Sequence, residues 1–459
     1  MNRRLKVLFF VLIFPVTLYL FLHGNSTAQR AGDKPSLAVN TSDRPETLIR
    51  HWQTSNGATV YFVPTETLPI LDIEVDFAAG SSRDGSKPGL SALCAQLLDK
   101  GALEWDANQI ADKFEDAAVQ YHAEIDKDRA TFSLRTLTTS SELKNIVDLF
   151  AHIIASPNFK EENIKVEKEQ MLVAIKRNLQ QPSVIAAQNF YKTIYQNHPY
   201  ATPSLGTEES VGMITRADLL QFHQHYFVGN NATITLVGGI SEDQAKEISQ
   251  AIASKLATGN KAATLPEAPS LVKAVDLNIP FRSEQTHVLM GQPCEVVGDV
   301  DFFPLLVGNY SLGGNVLGSR LFKEVRETRG LAYNVRSTFM ALQKPGPFVI
   351  QLQTQNSQAK SAIEVMRKTL HQFIEEGPTD EEVNAAKQGI VSAFPLSLTS
   401  NGKIMDVVSL MAFYHLPLDF LQTYQTQVEA VSREDIKKAF SRRLNENQMA
   451  LIAVGAFAD

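Results

Sequence analysis

Two hydrophobic periods alternate along this chain, and the points where the period changes mark its elements. Val60 to Val63 is an apolar run, and Ile70 to Ala78 alternates with period two through Leu71, Ile73, Val75 and Phe77. Both predict strands. Gly80 to Pro88 (GSSRDGSKP) predicts a loop. From Gly89 to Lys100 the period becomes helical, with Leu90, Leu93, Cys94, Leu97 and Leu98 on one face. Helical patterns continue over Asp106–Ala118, Ser141–Ala155 and Glu161–Leu179, and His122–Leu137 alternates like a pair of strands. His198-Pro199-Tyr200 marks a turn, and Asp218–Phe227 reads as a helix.

The pattern repeats. Ile214-Thr215-Arg216-x-Asp218-Leu219 leads to Val237-Gly238, and Val431-Ser432-Arg433-x-Asp435-Ile436 leads to Val454-Gly455. From the first apolar residue to the Gly is twenty-four positions in both copies, and Asn230 and Asn447 coincide. Each copy opens with a hydroxyl and an acidic residue three positions later, a variant of the capping box. Two homologous halves are predicted, each closing on a helix followed by a strand. Thr258–Pro269 (TGNKAATLPEAP) is the expected boundary.

The densest local signal is Ser311–Val335, SLGGNVLGSRLFKEVRETRGLAYNV. Gly313 and Gly314 open it. Leu321, Phe322 and Val325 then fall at helical spacing, and Gly330 ends that helix where a left-handed residue is wanted. Leu331, Tyr333 and Val335 alternate as in a strand. The reversal at Gly330 brings Arg326 and Tyr333 toward one cleft. A guanidinium offers a fork of donors to carbonyls or a carboxylate, and a phenol offers one donor to a developing oxyanion. The same spacing also suits a helix end with an ordinary Arg ion pair and a half-buried Tyr.

Composition narrows the classes. The 459 residues are 44% hydrophobic and 20% charged, as in a folded globular protein with room for more than one domain. A net charge of -7 gives no support to nucleic-acid binding. The two cysteines, Cys94 and Cys294, lie far apart, which argues against a disulfide framework and a thiolate zinc site. Cys94, on the apolar helix face, is expected to be a buried inert thiol. His223 and His225 point to different faces of a helix and are expected to be solvated. At the N-terminus, Arg3, Arg4 and Lys6 precede an uncharged run of sixteen residues from Val7 to Leu22, and Ser26-Thr27-Ala28 follows. The run is short for a bilayer span of ~20 residues. Residues 1–28 are therefore expected to be a signal peptide or a membrane anchor that exports the chain, and residues 29–45 a polar linker.

The stretch Ser311–Val335 resembles the C-terminal signature of the M16 (pitrilysin/insulinase, processing-peptidase) family of zinc peptidases. In that family an Arg and a Tyr seven positions apart reach the active site from the second half. Arg326 and Tyr333 match them, with Gly313-Gly314 and Ser319-Arg320-Leu321-Phe322 in the expected places. The resemblance implies an α+β fold with two homologous halves, each a mostly antiparallel sheet packed with helices, facing each other around a cavity. Residues 46–257 would form the first half, 258–276 a linker and 277–459 the second half. It also implies zinc on an H-x-x-E-H helix of the first half, completed by a distal Glu. Here the matching positions hold Ala92, Ala95, Gln96 and Ala174, and Glu167 and Glu169 are out of helical phase with the last. Alanine has no lone pair to give, and a Gln carbonyl is a poor zinc ligand.

The function expected from this resemblance is that of a zinc-lacking, Arg/Tyr-bearing subunit. It would work with a zinc-bearing M16 subunit on peptide substrates in the periplasm or on the periplasmic face of the inner membrane. Gly313, Gly314, Arg326 and Tyr333 would contact the substrate, and zinc would sit on the partner, with no cofactor on this chain. The alternative is a non-enzymatic peptide-binding or scaffold protein of the same fold.

Overall fold

The computed structural model of the chain describes residues 49–65 and 68–456. The expected export segment and polar linker, residues 1–45, lie outside the described residues.

Two sheets dominate. The first half contributes β1 (Arg50–Gln53), β2 (Thr59–Pro64), β3 (Ile70–Phe77), β4 (Gln120–Ile125), β5 (Ala130–Leu137) and β6 (Ala232–Gly238). Their order across the sheet is β1-β2-β6-β3-β5-β4. The second half contributes β7 (Val275–Pro280), β8 (Gln285–Glu295), β9 (Asn334–Phe339), β10 (Gly346–Gln355) and β11 (Ala450–Gly455), in the order β9-β10-β8-β11-β7. Starting from β2 and from β7, the two orders are the same. In both sheets one pair is parallel, β2 with β6 and β7 with β11, and the remaining pairs are antiparallel. The duplication seen in the sequence is thus a duplication of topology. Residues 258–274 between the sheets carry no helix or strand.

The helices that shape the site and the seam between the halves are α1 (Leu90–Leu97), α2 (Glu161–Asn178), α3 (Pro182–Tyr195), α4 (Arg216–Tyr226), α5 (Asn401–Phe413) and α6 (Arg433–Arg443). The repeated motifs became α4 and α6, both eleven residues long. Both start on a hydroxyl capping box, Thr215 with Asp218 and Ser432 with Asp435. These boxes satisfy backbone donors that a helix start leaves open.

Each half has its own core, and each sends one helix across. The face Ala186, Phe190, Ile194 of α3, in the first half, packs on Leu289, Val349, Ile452 and Val454 of the second sheet. Residues four apart share a helix face, so one stripe meets the alternating face of the strands. In return, Met405, Val408 and Met411 of α5, in the second half, pack on Tyr61, Val63 and Val237 of the first sheet. The opposite face of β2, Val60 and Phe62, points into the first core. Each sheet is therefore covered on one face by a helix that the other half supplies.

Candidate functional site

The signature stretch lies between β8 and β9. Tyr310–Gly314 and Phe322–Glu327 are both π-helical turns. The expected short helix is thus a wider one, with Thr328 N–H donating to the Lys323 carbonyl at 2.9 Å, five residues back. Gly330, at φ +62°, turns the chain in the left-handed conformation that the sequence predicted. The Gly330 N–H donates to the Arg326 carbonyl and the Leu331 N–H to the Val325 carbonyl, both at 2.9 Å. The strand starts at Asn334, one residue after Tyr333, whose N–H already joins the ladder at the Gln353 carbonyl (3.2 Å).

This reversal brings the two candidate side chains together. The Arg326 guanidinium carbon sits 5.4 Å from the centre of the Tyr333 ring and 4.9 Å from that of Phe322. Such cation–aromatic contacts contribute about 0.5–1 kcal/mol at exposed sites. Tyr333 itself is 76% exposed, a large fraction for an aromatic ring. The other arginines of the stretch are occupied. Arg320 donates twice to the Glu382 carboxylate, at 2.6 Å each, and Arg329 once to Glu324 at 2.6 Å. Among the described residues, the Arg326 guanidinium and the Tyr333 hydroxyl make no hydrogen bond or ion pair, so their polar atoms are free for a ligand. The two glycines are different. Gly313 and Gly314 are buried, and a Cβ on Gly313 would come within 2.6 Å of the Ser337 nitrogen. The absence of a side chain at Gly313 lets the backbone pack against β9.

In the first half, α1 carries the positions where the family's metal helix would place its ligands. Ala92 and Ala95 are buried at 4% and 3% exposure, and Gln96 is half-buried. Helix α2, which bears Ala174, packs against α1. The two helices pack together, and the positions expected to hold ligands carry methyl groups and one amide. Glu167 on α2 is buried, and burial raises its carboxyl while Lys100 opposes the shift. Among the described residues no three His, Cys, Asp or Glu side chains converge as a metal site. Methyl groups and one amide at the expected ligand positions do not fit zinc.

The remaining sequence candidates are structural. Cys94 is fully buried, and burial pushes its thiol well up. His198 caps the turn, accepting from the Tyr200 N–H at 3.2 Å. His225 is exposed, but His223 is not solvated as expected. It is buried, bonds through Nε2 to the Ile154 carbonyl at 2.7 Å and stacks on Phe227 at 4.7 Å. A carbonyl left open at the end of Leu143–Ala155 gives it a partner that spacing alone could not reveal.

Sequence reasoning missed a polar network at the seam between the halves. The hairpin Asp126–Arg129 joins β4 to β5. Asp128 accepts from the Tyr200 hydroxyl (2.5 Å) of its own half and from the Tyr414 hydroxyl (3.1 Å) and Gln343 N–H (2.9 Å) of the other. Burial raises its carboxyl to about 6. Arg129 donates to Asp126 at 3.0 Å and lies 3.5 Å from Asp76, whose carboxyl burial also raises to about 6. Asp72, Glu74 and Asp76 line one face of β3, and α5 covers it. Those three acids at alternate positions, in a strand with its other face apolar, were the available signal.

Comparison with known proteins agrees with this geometry. Residues 61–208 match the family described as "Insulinase (Peptidase family M16)", and residues 213–390 match "Peptidase M16 inactive domain". A crystal structure of a peptidase M16 inactive domain from Pseudomonas fluorescens superposes with a TM-score of 0.86 at 33% identity, covering 89% of this chain and 98% of that one. A Helicobacter pylori protein named "Non-peptidase homolog YmxG" is 27% identical over 401 residues, 86% of this chain and 91% of its own. An uncharacterized zinc protease, YmxG, of Bacillus subtilis is 28% identical over 361 residues, 78% of this chain and 86% of its own. This chain belongs to the M16 peptidase family, as a homologue of the inactive type.

Proposed function

We propose that this chain is the zinc-lacking subunit of a two-chain M16 metallopeptidase that acts outside the cytoplasm. Arg326 carries the reading. Among the described residues it is the one arginine of the signature stretch that no carboxylate holds, and it is stacked beside a phenol that is 76% exposed. In the complex, the Arg326 fork would hold carbonyls of a peptide backbone, and the Tyr333 hydroxyl would donate to the oxyanion that forms on the scissile carbonyl. Zinc would belong to the partner, since Ala92, Ala95, Gln96 and Ala174 offer no ligand set. The periplasm, or the periplasmic face of the inner membrane with residues 7–22 as the anchor, follows from the N-terminal segment. The inactive-type family match supports pairing with an active subunit.

The name of the Helicobacter pylori relative, a non-peptidase homolog, favours a second reading, a scaffold that binds peptides without cutting them. Purification from the native host separates the two. The first reading expects a co-purifying M16 protein with an intact H-x-x-E-H, and peptide hydrolysis by the mixture that neither chain has alone. Recovery of no such partner, or a stable mixture without hydrolysis, leaves the scaffold.

A further inference from the structure

The seam between the halves holds a pocket of about 310 Å³. Arg83 and Thr233 of the first half line it, with Lys261 of the connecting segment and Lys344, Phe413 and His415 of the second half. Among the described residues no Asp or Glu lines it.

Arg83 gives this composition a meaning. It sits in the loop before α1, with Nε buried and no hydrogen-bond partner. Its guanidinium enters no ion pair within the described residues. The charge of Asp128 reaches it, but both Asp128 oxygens are already taken by Tyr200, Tyr414 and the Gln343 N–H. Burial wins over these neighbours and pulls the Arg83 guanidinium below its ordinary range. A half-buried cation with no direct ion-pair partner carries a desolvation cost that a bound anion would offset. Lys261 is exposed at the rim and makes no ion pair among the described residues. Burial lowers the His415 imidazole first, and the Lys261 charge lowers it further, so those two side chains share the space. Lys344 is the one wall cation with a carboxylate partner, the exposed Glu267, which does not line the pocket.

We propose that this pocket is an oxyanion-binding site in which the Arg83 fork grips the ligand and Lys261 closes on it from the rim. A peptide's C-terminal carboxylate and free inorganic phosphate both offer that chemistry. The site uses seam residues alone, so it stands or falls apart from the Arg326–Tyr333 reading.

Calorimetric titration of the purified full chain tests it. Three probes are used: inorganic phosphate, N-acetyl-alanyl-alanine as the free acid, and the same dipeptide as its C-terminal amide. One phosphate or one free acid is expected to bind per chain, and the amide is expected not to bind. Arg83→Gln and Lys261→Ala should each weaken binding about tenfold or more, as for a lost charge-assisted hydrogen bond. Binding of the acid alone identifies a peptide terminus. Binding of phosphate alone identifies a free anion, and binding of both identifies a general oxyanion site. Lys261→Ala alters an exposed side chain, which keeps the test decisive if Arg83→Gln does not fold. The proposal is overturned if neither ligand saturates, if the amide binds as well as the acid, or if neither variant weakens binding.

Discussion

The two halves share a strand order, a single parallel pair and a capped closing helix, yet they use the same topological slot in opposite ways. In each half the slot lies between the second and third strands of the repeat, counted from β2 and from β7. In the first half it holds α1, where the positions expected to match the family's ligands carry buried methyl groups and one half-buried amide. In the second half it holds the π-helical turn of Arg326, which leaves a guanidinium and an exposed phenol at the surface. A shared backbone plan therefore says little about chemistry, which lives in a few side chains on that plan. Small apolar residues turned the first slot into core. In the second, carboxylates hold Arg320 and Arg329 and leave Arg326 available.

The largest effect expected tests whether the halves are separable at all. Phe190 of α3 is fully buried on the second sheet, and Met411 of α5 is 1% exposed on the first. Phe190→Ala should cost about 3–5 kcal/mol and Met411→Ala about 2–5 kcal/mol. Both tryptophans, Trp52 and Trp105, lie in the first half, so their fluorescence reports that half while circular dichroism reports both. Because each sheet is covered by the other half's helix, the two signals should shift together in each variant. A Phe190→Ala protein whose tryptophan transition stays at the parent's denaturant midpoint would show that the exchanged helices do not couple the halves.

Next in size is the chemistry of the second slot. If the chain works with a metal-bearing M16 subunit as proposed, Tyr333→Phe in that mixture should lower turnover by about 10²–10³, the usual cost of removing one oxyanion donor. The ring stays, so its stacking with Arg326 and the thermal midpoint should hardly change. Turnover close to the parent's would assign Tyr333 to packing and remove the catalytic contribution of this half.

Much of this difference was legible in the sequence. The repeat of Thr215/Asp218 and Ser432/Asp435 carried the duplication, because a capping box needs those residue types at that spacing. Gly330 carried the reversal that joins Arg326 to Tyr333. Three things were not legible. Which of Arg320, Arg326 and Arg329 is free depends on Glu382 and Glu324, and Glu382 is distant in the chain. The exchange of α3 and α5 leaves no local trace, since an apolar stripe does not say which sheet it will meet. His223 reads as a surface residue because the carbonyl of Ile154 that buries it lies on another helix.

A smaller effect concerns Asp84, which ties the loop of Arg83 to the start of α1. Its oxygens accept from the Gly89 N–H at 2.7 Å and the Ser91 N–H at 2.8 Å. Burial pushes its carboxyl up to about 7, against those hydrogen bonds. The folded value lies above the unfolded one of about 4. Its contribution to stability is therefore complete below about pH 4 and is lost as the pH rises through about 7. Asp84→Asn cannot titrate. The stability of the parent relative to this variant should fall across that window, by at most about 1.4 kcal/mol per pH unit. Denaturation of both proteins from pH 5 to pH 8 measures the gap, and a gap constant with pH would count against a buried, protonatable Asp84.

The smallest effect sharpens the comparison where the halves are most alike. At the start of α4, the Asp218 N–H donates to the Thr215 hydroxyl at 3.3 Å, and the Thr215 N–H donates to the Asp218 carboxylate at 2.7 Å. At α6 the same pair of bonds, Asp435 to Ser432 and back, measures 3.1 and 2.9 Å. Thr215→Ala and Ser432→Ala each remove one cap and should each cost about 1 kcal/mol. Their double variant should be additive, since the caps share no partner. One asymmetry is built in: Lys87 donates to Asp218 at 2.5 Å, and Asp435 has no such lysine bond among the described residues. Asp218→Ala should therefore cost more than Asp435→Ala, but by no more than about 1 kcal/mol, because an ion pair that water still reaches contributes little. Added salt should narrow that difference and leave the hydroxyl variants unmoved. Equal costs at low salt would mean that Lys87 contributes nothing to holding the loop before α1 against α4, and that the two closing helices are equivalent in energy as well as in form.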